Sequence, residues 1–365
     1  MKLIVDARYT RTTQHDGISR YTASLIEALQ RLQHTNDDAV PANFELLMAI
    51  SDDAQLKMLS NVPHIKICSP TGPLEPLASL QLNKYSPDVV FSPMQTMGTL
   101  GRKFKVVLTL HDLIYYEHPT PPSFLPRAVQ IGWRIFHKSY LPQRFLLNRA
   151  DAVATVSRTT AELIKQHRLT RRPIHVIANA PQPGSVISEQ EALTVATHRT
   201  KDLLYMGSFM PYKGVETLIQ AMKDLPDYRL HLLSRINPAD HARLKQQAPS
   251  NVIFHNGVEE HHYTELLSQA SALITATRAE GYGLPVVEAQ ASGCPVVISD
   301  IPIFKEIAPH ALFASPRNPH EFAQAVRDLE DPVLQNKQII EGLHDANQYS
   351  WDASARKLLE VLKNL

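Results

Sequence analysis

Glu280 and Glu288 stand eight positions apart in the run Glu280-Gly281-Tyr282-Gly283-Leu284-Pro285-Val286-Val287-Glu288. Gly281 and Gly283 permit close approach of the backbone, and Pro285 suits the first turn of a helix, so the run reads as a loop opening into a helix. A helix start presents unpaired N–H groups at a positive dipole end, an arrangement that favours a phosphate. A carboxylate, by contrast, is a poor phosphate ligand and a good acceptor for sugar hydroxyls. One acid before the helix and one about a turn inside it match a diphosphate flanked by hydroxyl-bearing rings, the shape of a nucleotide-sugar. The plainer reading is a capped helix with two solvated glutamates. The continuation Ser292-Gly293-Cys294-Pro295-Val296-Val297 weighs against it, because a helix stop and a new strand follow at once.

Three further segments carry chemistry. Tyr205-Met206-Gly207-Ser208-Phe209-Met210-Pro211-Tyr212-Lys213-Gly214 ends in a lysine that could meet a diphosphate as a point charge. Val106-Val107-Leu108-Thr109-Leu110-His111-Asp112 reads as a buried strand ending in His111, and ligands of open α/β sheets sit at such carboxyl ends. Its bland alternative is a structural histidine paired with Asp112. Asp16-Gly17-Ile18-Ser19-Arg20-Tyr21 follows the first strand, and Arg20 reads equally well as a helix-surface charge.

The elements that must position these residues alternate along the chain. Apolar runs at Leu3–Val5, Leu46–Ile50, Ile65–Cys68, Val89–Phe91, Val106–Leu110, Ala152–Val156 and His175–Ile177 predict strands, with helical periodicity beginning near Ile18. Strands this short and apolar on both faces fit a parallel sheet covered by helices. A looser stretch from Asn179 to Arg199 contains Pro181, Pro183 and Gly184 and lacks strand signals. Alternation resumes with strands expected at Leu203–Met206, Leu230–Leu233, Val252–Phe254, Ala272–Thr275 and Val296–Ile298. Helices are expected near 214–223, 239–247, 260–270, 284–292 and 319–329. The expected division is an acceptor-side domain over 1–180, a linker over 181–199, a nucleotide-sugar-binding domain over 200–348, and a C-terminal helix over 349–365 packing back on the first domain. Two Rossmann-like domains of this kind would leave a central cleft between their sheets for a ligand.

Composition excludes several classes. The 365 residues are 44% hydrophobic and 20% charged, enough for about two ordinary cores. Lys and Arg number 37 against 36 Asp and Glu, a net charge of +1 that argues against holding nucleic acid by bulk charge. Two cysteines, Cys68 and Cys294, rule out a disulfide framework and a four-thiolate zinc site. Asp6 interrupts the opening apolar run, which argues against a signal peptide and for a cytoplasmic protein.

The Glu280–Glu288 signature resembles that of retaining GT-B glycosyltransferases, particularly glycosyltransferase family four, and the other three segments are similar to that family's in the same order. The resemblance implies an α/β GT-B fold and transfer of a hexose, mannose or glucose in type, from a nucleotide diphosphate sugar to a glycan or lipid-linked acceptor. It also implies no metal or other cofactor. Carried over, Glu280 would face the donor sugar, Glu288 the ribose, and the Gly281, Tyr282, Gly283 and Leu284 backbone the phosphate. Lys213 would stabilise the leaving phosphate, His111 would lie near the donor sugar, and Gly17 would approach the donor. Two departures stand out: Tyr282 replaces a more usual Phe, and Ser208 stands where an arginine often accompanies the lysine. Arg235, after the next strand, is the candidate substitute cation, and Gly257-Val258-Glu259 the candidate neighbour of the base. A sugar-nucleotide epimerase and a catalytically silent binding protein remain the alternatives on this fold.

The stretch 127–149 interleaves Arg127, Arg134, Lys138, Arg144 and Arg149 with Trp133, Phe136, Tyr140 and Phe145. A basic amphipathic segment can lie on anionic lipid, a peripheral membrane contact. The alternative, and the favoured reading, is a helix with its aromatics packed inward, cut short by Pro142.

Overall fold

The short two-faced apolar runs form strands, and every strand pair is parallel. A computed structural model describes residues 1–121 and 127–365. The chain divides into two units, one of Met1–Asn179 with Ser350–Leu365 and one of Ala180–Tyr349.

In the first unit, β1 (Lys2–Asp6), β2 (Glu45–Ile50), β3 (His64–Lys66), β4 (Val89–Ser92), β5 (Lys105–Thr109), β6 (Ala152–Thr155) and β7 (Ile174–Val176) make one sheet in the order β3-β2-β1-β4-β5-β6-β7. Ile4 on β1 registers with Leu47 on one side and Val90 on the other, and all three are buried. The order reverses at β1 and β4, and such a switch point is where an open sheet presents loops to a ligand. The helix Gly17–His34 starts at the N-cap Asp16, whose carboxylate accepts from the Ser19 N–H at 2.9 Å. It buries Tyr21, Leu25 and Leu29. The helix Trp351–Lys363 packs on it: Trp351 meets the Tyr21 ring at 5.8 Å between centroids, and Arg31 pairs with Asp352 at 2.8 Å. Ser354 Oγ donates to the Ala178 carbonyl at 2.7 Å.

The second unit's sheet has β8 (Thr200–Tyr205), β9 (Arg229–Leu232), β10 (Val252–Phe254), β11 (Ala270–Thr275), β12 (Val296–Ser299) and β13 (Leu312–Ala314) in the order β10-β9-β8-β11-β12-β13. Leu203, Leu230, Ile274 and Phe322 belong to its main core.

Two differences from the sequence reading have local causes. The stretch read as a loose linker holds a helix, Glu189–Ala196, capped by Ser188. Its apolar face is mostly alanine: Ala192 and Ala196 pack against Ile339 and Leu343, a small-residue stripe that gives little periodic signal. The strand β13 and the helices Pro302–Ile307 and Pro332–Asn347 were likewise not among the expected elements. Both cysteines are free, Cys294 buried and Cys68 partly so. Among the described residues no helix is long and apolar enough to cross a membrane.

Candidate functional site

In the second unit the loops after β8 and β11 are laced together, and this lacing makes the site. Gly214 has φ of +66°, and a Cβ there would lie 2.1 Å from the Ala276 carbonyl oxygen, so only glycine lets the two backbones approach this closely. The Arg278 N–H donates to the Tyr212 carbonyl at 2.8 Å, and its guanidinium donates to the Pro211 carbonyl. Two residues further on, Glu280 accepts a hydrogen bond from Lys213 Nζ. The side chains of this ion pair are half-buried, 14% and 16% exposed. The sequence placed Lys213 on the phosphate and Glu280 on the sugar; the structure puts them in direct contact. Those two parts of a nucleotide-sugar share one bond, so contact suits both roles.

The helix Leu284–Ala291 begins at Gly283, with φ of +104°, and has Pro285 in its first turn. A Cβ on Gly283 would lie 2.7 Å from the Phe304 ring, so the fold itself requires glycine here. Pro285 has no N–H, and Val286 N–H turns back to the Gly283 carbonyl at 2.9 Å. The N–H groups of Gly283 and Leu284 have no partner among the described residues. Gly281 and Tyr282 are buried, and burial pushes the Tyr282 phenol well above its ordinary range. Tyr282 meets Tyr349 edge-on at 5.9 Å, a packing role for the residue that departs from the usual Phe. Glu288 lies in the second turn, partly exposed.

Ser208 is exposed and puts no cation beside Lys213; its carbonyl accepts from Tyr205 Oη at 2.6 Å. Gly207 N–H donates to Ser234 Oγ at 3.0 Å, which ties this loop to the end of β9, where Arg235 follows. The Arg235 stem crosses Gly257, where a Cβ would lie 2.9 Å from its Cγ, and Val258 is next in line. Sequence reasoning missed Arg278, the residue that fastens the Lys213 turn. Its signal was a cation two places before Glu280.

In the first unit His111 follows β5. Its Nε2 lies 2.7 Å from the Pro93 carbonyl, which can only accept, so Nε2 carries the proton and Nδ1 is left as an acceptor. Burial lowers its pKa to about 4, against the Pro93 hydrogen bond and the Asp16 charge, which raise it. Tyr21 meets the ring edge-on at 5.1 Å. Tyr21 belongs to the helix Gly17–His34, so an early turn of that helix lies against His111; Gly17 itself is exposed.

Sequence reasoning also missed a charged cluster at the end of β1. Arg8 donates to Asp6 at 2.7 and 3.0 Å, to Glu75 at 2.5 and 3.0 Å, and to the Cys68 carbonyl at 3.0 Å. Its signal was an acid and a base two residues apart directly after a buried strand.

Two family models match the chain in succession: Glycosyltransferase Family 4 over residues 15–181 and Glycosyl transferases group 1 over residues 188–342. The chain is 28% identical over 242 residues to the serotype-specific mannosyltransferase WbdA of Escherichia coli, covering 60% of this chain and 29% of WbdA. It is 29% identical over 237 residues to the O-antigen chain mannosyltransferase RfbU of Salmonella typhimurium, 61% of this chain and 60% of RfbU. The chain thus spans less than two thirds of these relatives' lengths. Among solved structures, sucrose-phosphate synthase from Thermosynechococcus elongatus has a TM-score of 0.74 at 18% identity, over 100% of this chain and 98% of that one. Anabaena HepE in complex with UDP and glucose has a TM-score of 0.71 at 17% identity, over 100% and 99%. With both sheets parallel and both halves matched, the chain belongs to the group 1, family 4 glycosyltransferases and has their GT-B α/β fold.

Proposed function

We propose that this chain transfers a hexose, of mannose or glucose type, from a nucleotide diphosphate sugar to a hydroxyl of a glycan or lipid-linked acceptor, with retention at the anomeric carbon. The observation that carries this reading is the Lys213–Glu280 pair, followed by a helix start whose Gly283 and Leu284 N–H groups have no partner among the described residues. Family membership supports it, as do relatives named as mannosyltransferases and a structural neighbour solved with UDP-glucose.

Before the donor arrives, Lys213 is neutralised by Glu280. A diphosphate brings two or more negative charges and competes for the ammonium, which frees the Glu280 carboxylate to accept sugar hydroxyls. As the bond from the anomeric carbon to the phosphate oxygen breaks, charge builds on the leaving oxygen. Lys213 and the two N–H groups are fixed to receive it. The acceptor hydroxyl forms the new bond on the same face and gives its proton to the departing phosphate oxygen. Lys213 supplies the leaving-group charge that a divalent cation would otherwise supply, so no metal is required. Glu288 takes the ribose, Arg235 is the second cation in place of Ser208, and Val258 neighbours the base. On the first unit, neutral His111 accepts a sugar hydroxyl at Nδ1, and Gly17 leaves room for the donor.

A thermal-shift panel of nucleoside diphosphates and their sugars tests the donor. The cognate nucleotide at a hundred times its dissociation constant should stabilise by about 2.7 kcal/mol. Transfer should persist in EDTA, and NMR of the product should show the donor's anomeric configuration. Conversion of the donor without any acceptor would make the chain an epimerase instead.

A further inference from the structure

Residues 127–149 resolve into two helices, Arg127–Phe136 and Leu141–Leu147, the second with Pro142 in its first turn. Two aromatic residues of the segment turn inward: Trp133 meets Tyr115 edge-on at 4.8 Å, and Tyr140, between the helices, packs on Tyr116 at 4.3 Å and His167 at 4.6 Å. What they leave outside is a different apolar set. Ile131 and Ile135, one turn apart, are 56% and 62% exposed; Leu141 and Phe145, one turn apart on the second helix, are 67% and 63% exposed. Each such residue left in water forgoes roughly 1.5–3 kcal/mol of burial, and the protein leaves four together in a short segment.

The charge within the segment has one sign, while Glu117 faces it at Tyr140. Residues 127–149 contain five basic side chains and no acidic one. The side chains of Arg134, exposed on the first helix, and Lys138, exposed in the turn after it, have no partner among the described residues. The fold then adds a second basic segment from elsewhere in the sequence. Arg144 donates to the His167 and Arg168 carbonyls at 2.9 and 3.2 Å, and Arg172 donates to the Asn148 carbonyl at 3.1 Å. This docks the exposed Arg168, Arg171 and Arg172 alongside the second helix. Apolar side chains ringed by cations from two distant segments, with no acid in either helix, fit a surface that is apolar beneath and negative on top.

We propose that this face of the first unit docks on an anionic lipid bilayer, with Ile131, Ile135, Leu141 and Phe145 entering the headgroup–acyl boundary and the arginines and Lys138 meeting lipid phosphates. The surface belongs to the first unit and the Lys213–Glu280 pair to the second, so its test does not depend on the donor chemistry.

Flotation of the full chain with lipid vesicles, without any sugar nucleotide, tests it. Vesicles of phosphatidylcholine with about one third phosphatidylglycerol should carry the protein, and pure phosphatidylcholine should not. Added salt should weaken the binding. The double variant I135Q/F145Q should lower partitioning at least about tenfold. R134Q/K138Q should lower it and flatten its salt dependence, and both variants should keep the nucleotide thermal shift of the parent. Equal binding to both vesicle types, or no flotation by the parent, overturns the proposal. So does a concentration-dependent dimer that I135Q/F145Q dissociates, since the face would then be covered by a second copy of the chain.

Discussion

At the end of β1 the Arg8 guanidinium is sealed in, while at the ends of β8 and β11 the Lys213 side chain keeps 14% of its surface exposed. Arg8 is wholly buried, its partners Asp6 and Glu75 are 1% and 11% exposed, and all five of its N–H donors are used. The carboxylates are filled as well: Asp6 accepts from Ser92 Oγ at 3.2 Å and Glu75 from Gly98 N–H at 2.9 Å. Burial alone would lower the Arg8 pKa, and the two carboxylates outweigh it and hold the guanidinium charged far beyond its ordinary range. Nothing in that cluster is left to offer a ligand. Lys213 has one carboxylate partner, some exposure to solvent, and a helix start three residues beyond that partner. The two ends differ in what they leave over: the closed hydrogen bonds of Arg8 make a brace, and the proposed donor site lies where such bonds stay open.

The most damaging change should be Arg8→Met. It would leave two buried carboxylates unpaired and cost about 3–5 kcal/mol in urea unfolding. The donor-dependent thermal shift of the second unit should survive in whatever protein folds. A cost below about 1 kcal/mol would mean that the cluster is not a brace. Lys213→Ala reverses the pattern: stability should fall by less than for Arg8→Met, because the pair keeps some contact with solvent. Sugar transfer, read as nucleotide release with acceptor present, should fall about 100- to 1,000-fold. Transfer at the parent rate would remove Lys213 from the leaving-group site and erase the contrast.

This contrast also marks the limit of what the sequence reveals. Most strands are legible as short apolar runs because both faces of a parallel sheet are covered. Lys213 and Glu280 are each legible from their own segments. Their contact is not, because it depends on Gly214 reaching the Ala276 carbonyl across the sheet. The Arg8 brace is hidden for the same reason: Glu75 comes from a distant loop and carries no local signal of its own. The helix Glu189–Ala196 escaped because alanines make its buried face. Local chemistry is written in the chain; pairings between distant loops are set by backbone approach.

His111 sharpens the comparison from a third direction, being a largely enclosed titratable group hydrogen-bonded to a neutral carbonyl. Its pKa is about 4 in the folded protein and 6.5 in the free side chain, so on acidification the unfolded chain takes the proton first. Its contribution to stability is therefore complete above pH 6.5 and is lost progressively down to pH 4, about 3 kcal/mol in all. Denaturant titrations of the parent and His111→Asn should diverge across this window, with the variant flatter. Parallel profiles would mean that the imidazole is already solvated.

The smallest expected effect on the fold belongs to Gly17→Ala, and it separates glycines that the fold needs from those it does not. Gly214 and Gly283 have positive φ and neighbours within 3 Å of a would-be Cβ, whereas a Cβ on Gly17 meets nothing within 4 Å. Alanine there should leave stability unchanged or raise it by up to about 1 kcal/mol, through better helix propensity and a less floppy unfolded chain. The methyl group would nonetheless stand at the exposed start of the helix Gly17–His34, in the loop that follows the switch-point strand β1. If the space is kept open for substrate, transfer should drop roughly tenfold while the melting temperature holds or rises. An unchanged rate would show that Gly17 is free to vary and that the first unit's contribution rests on His111.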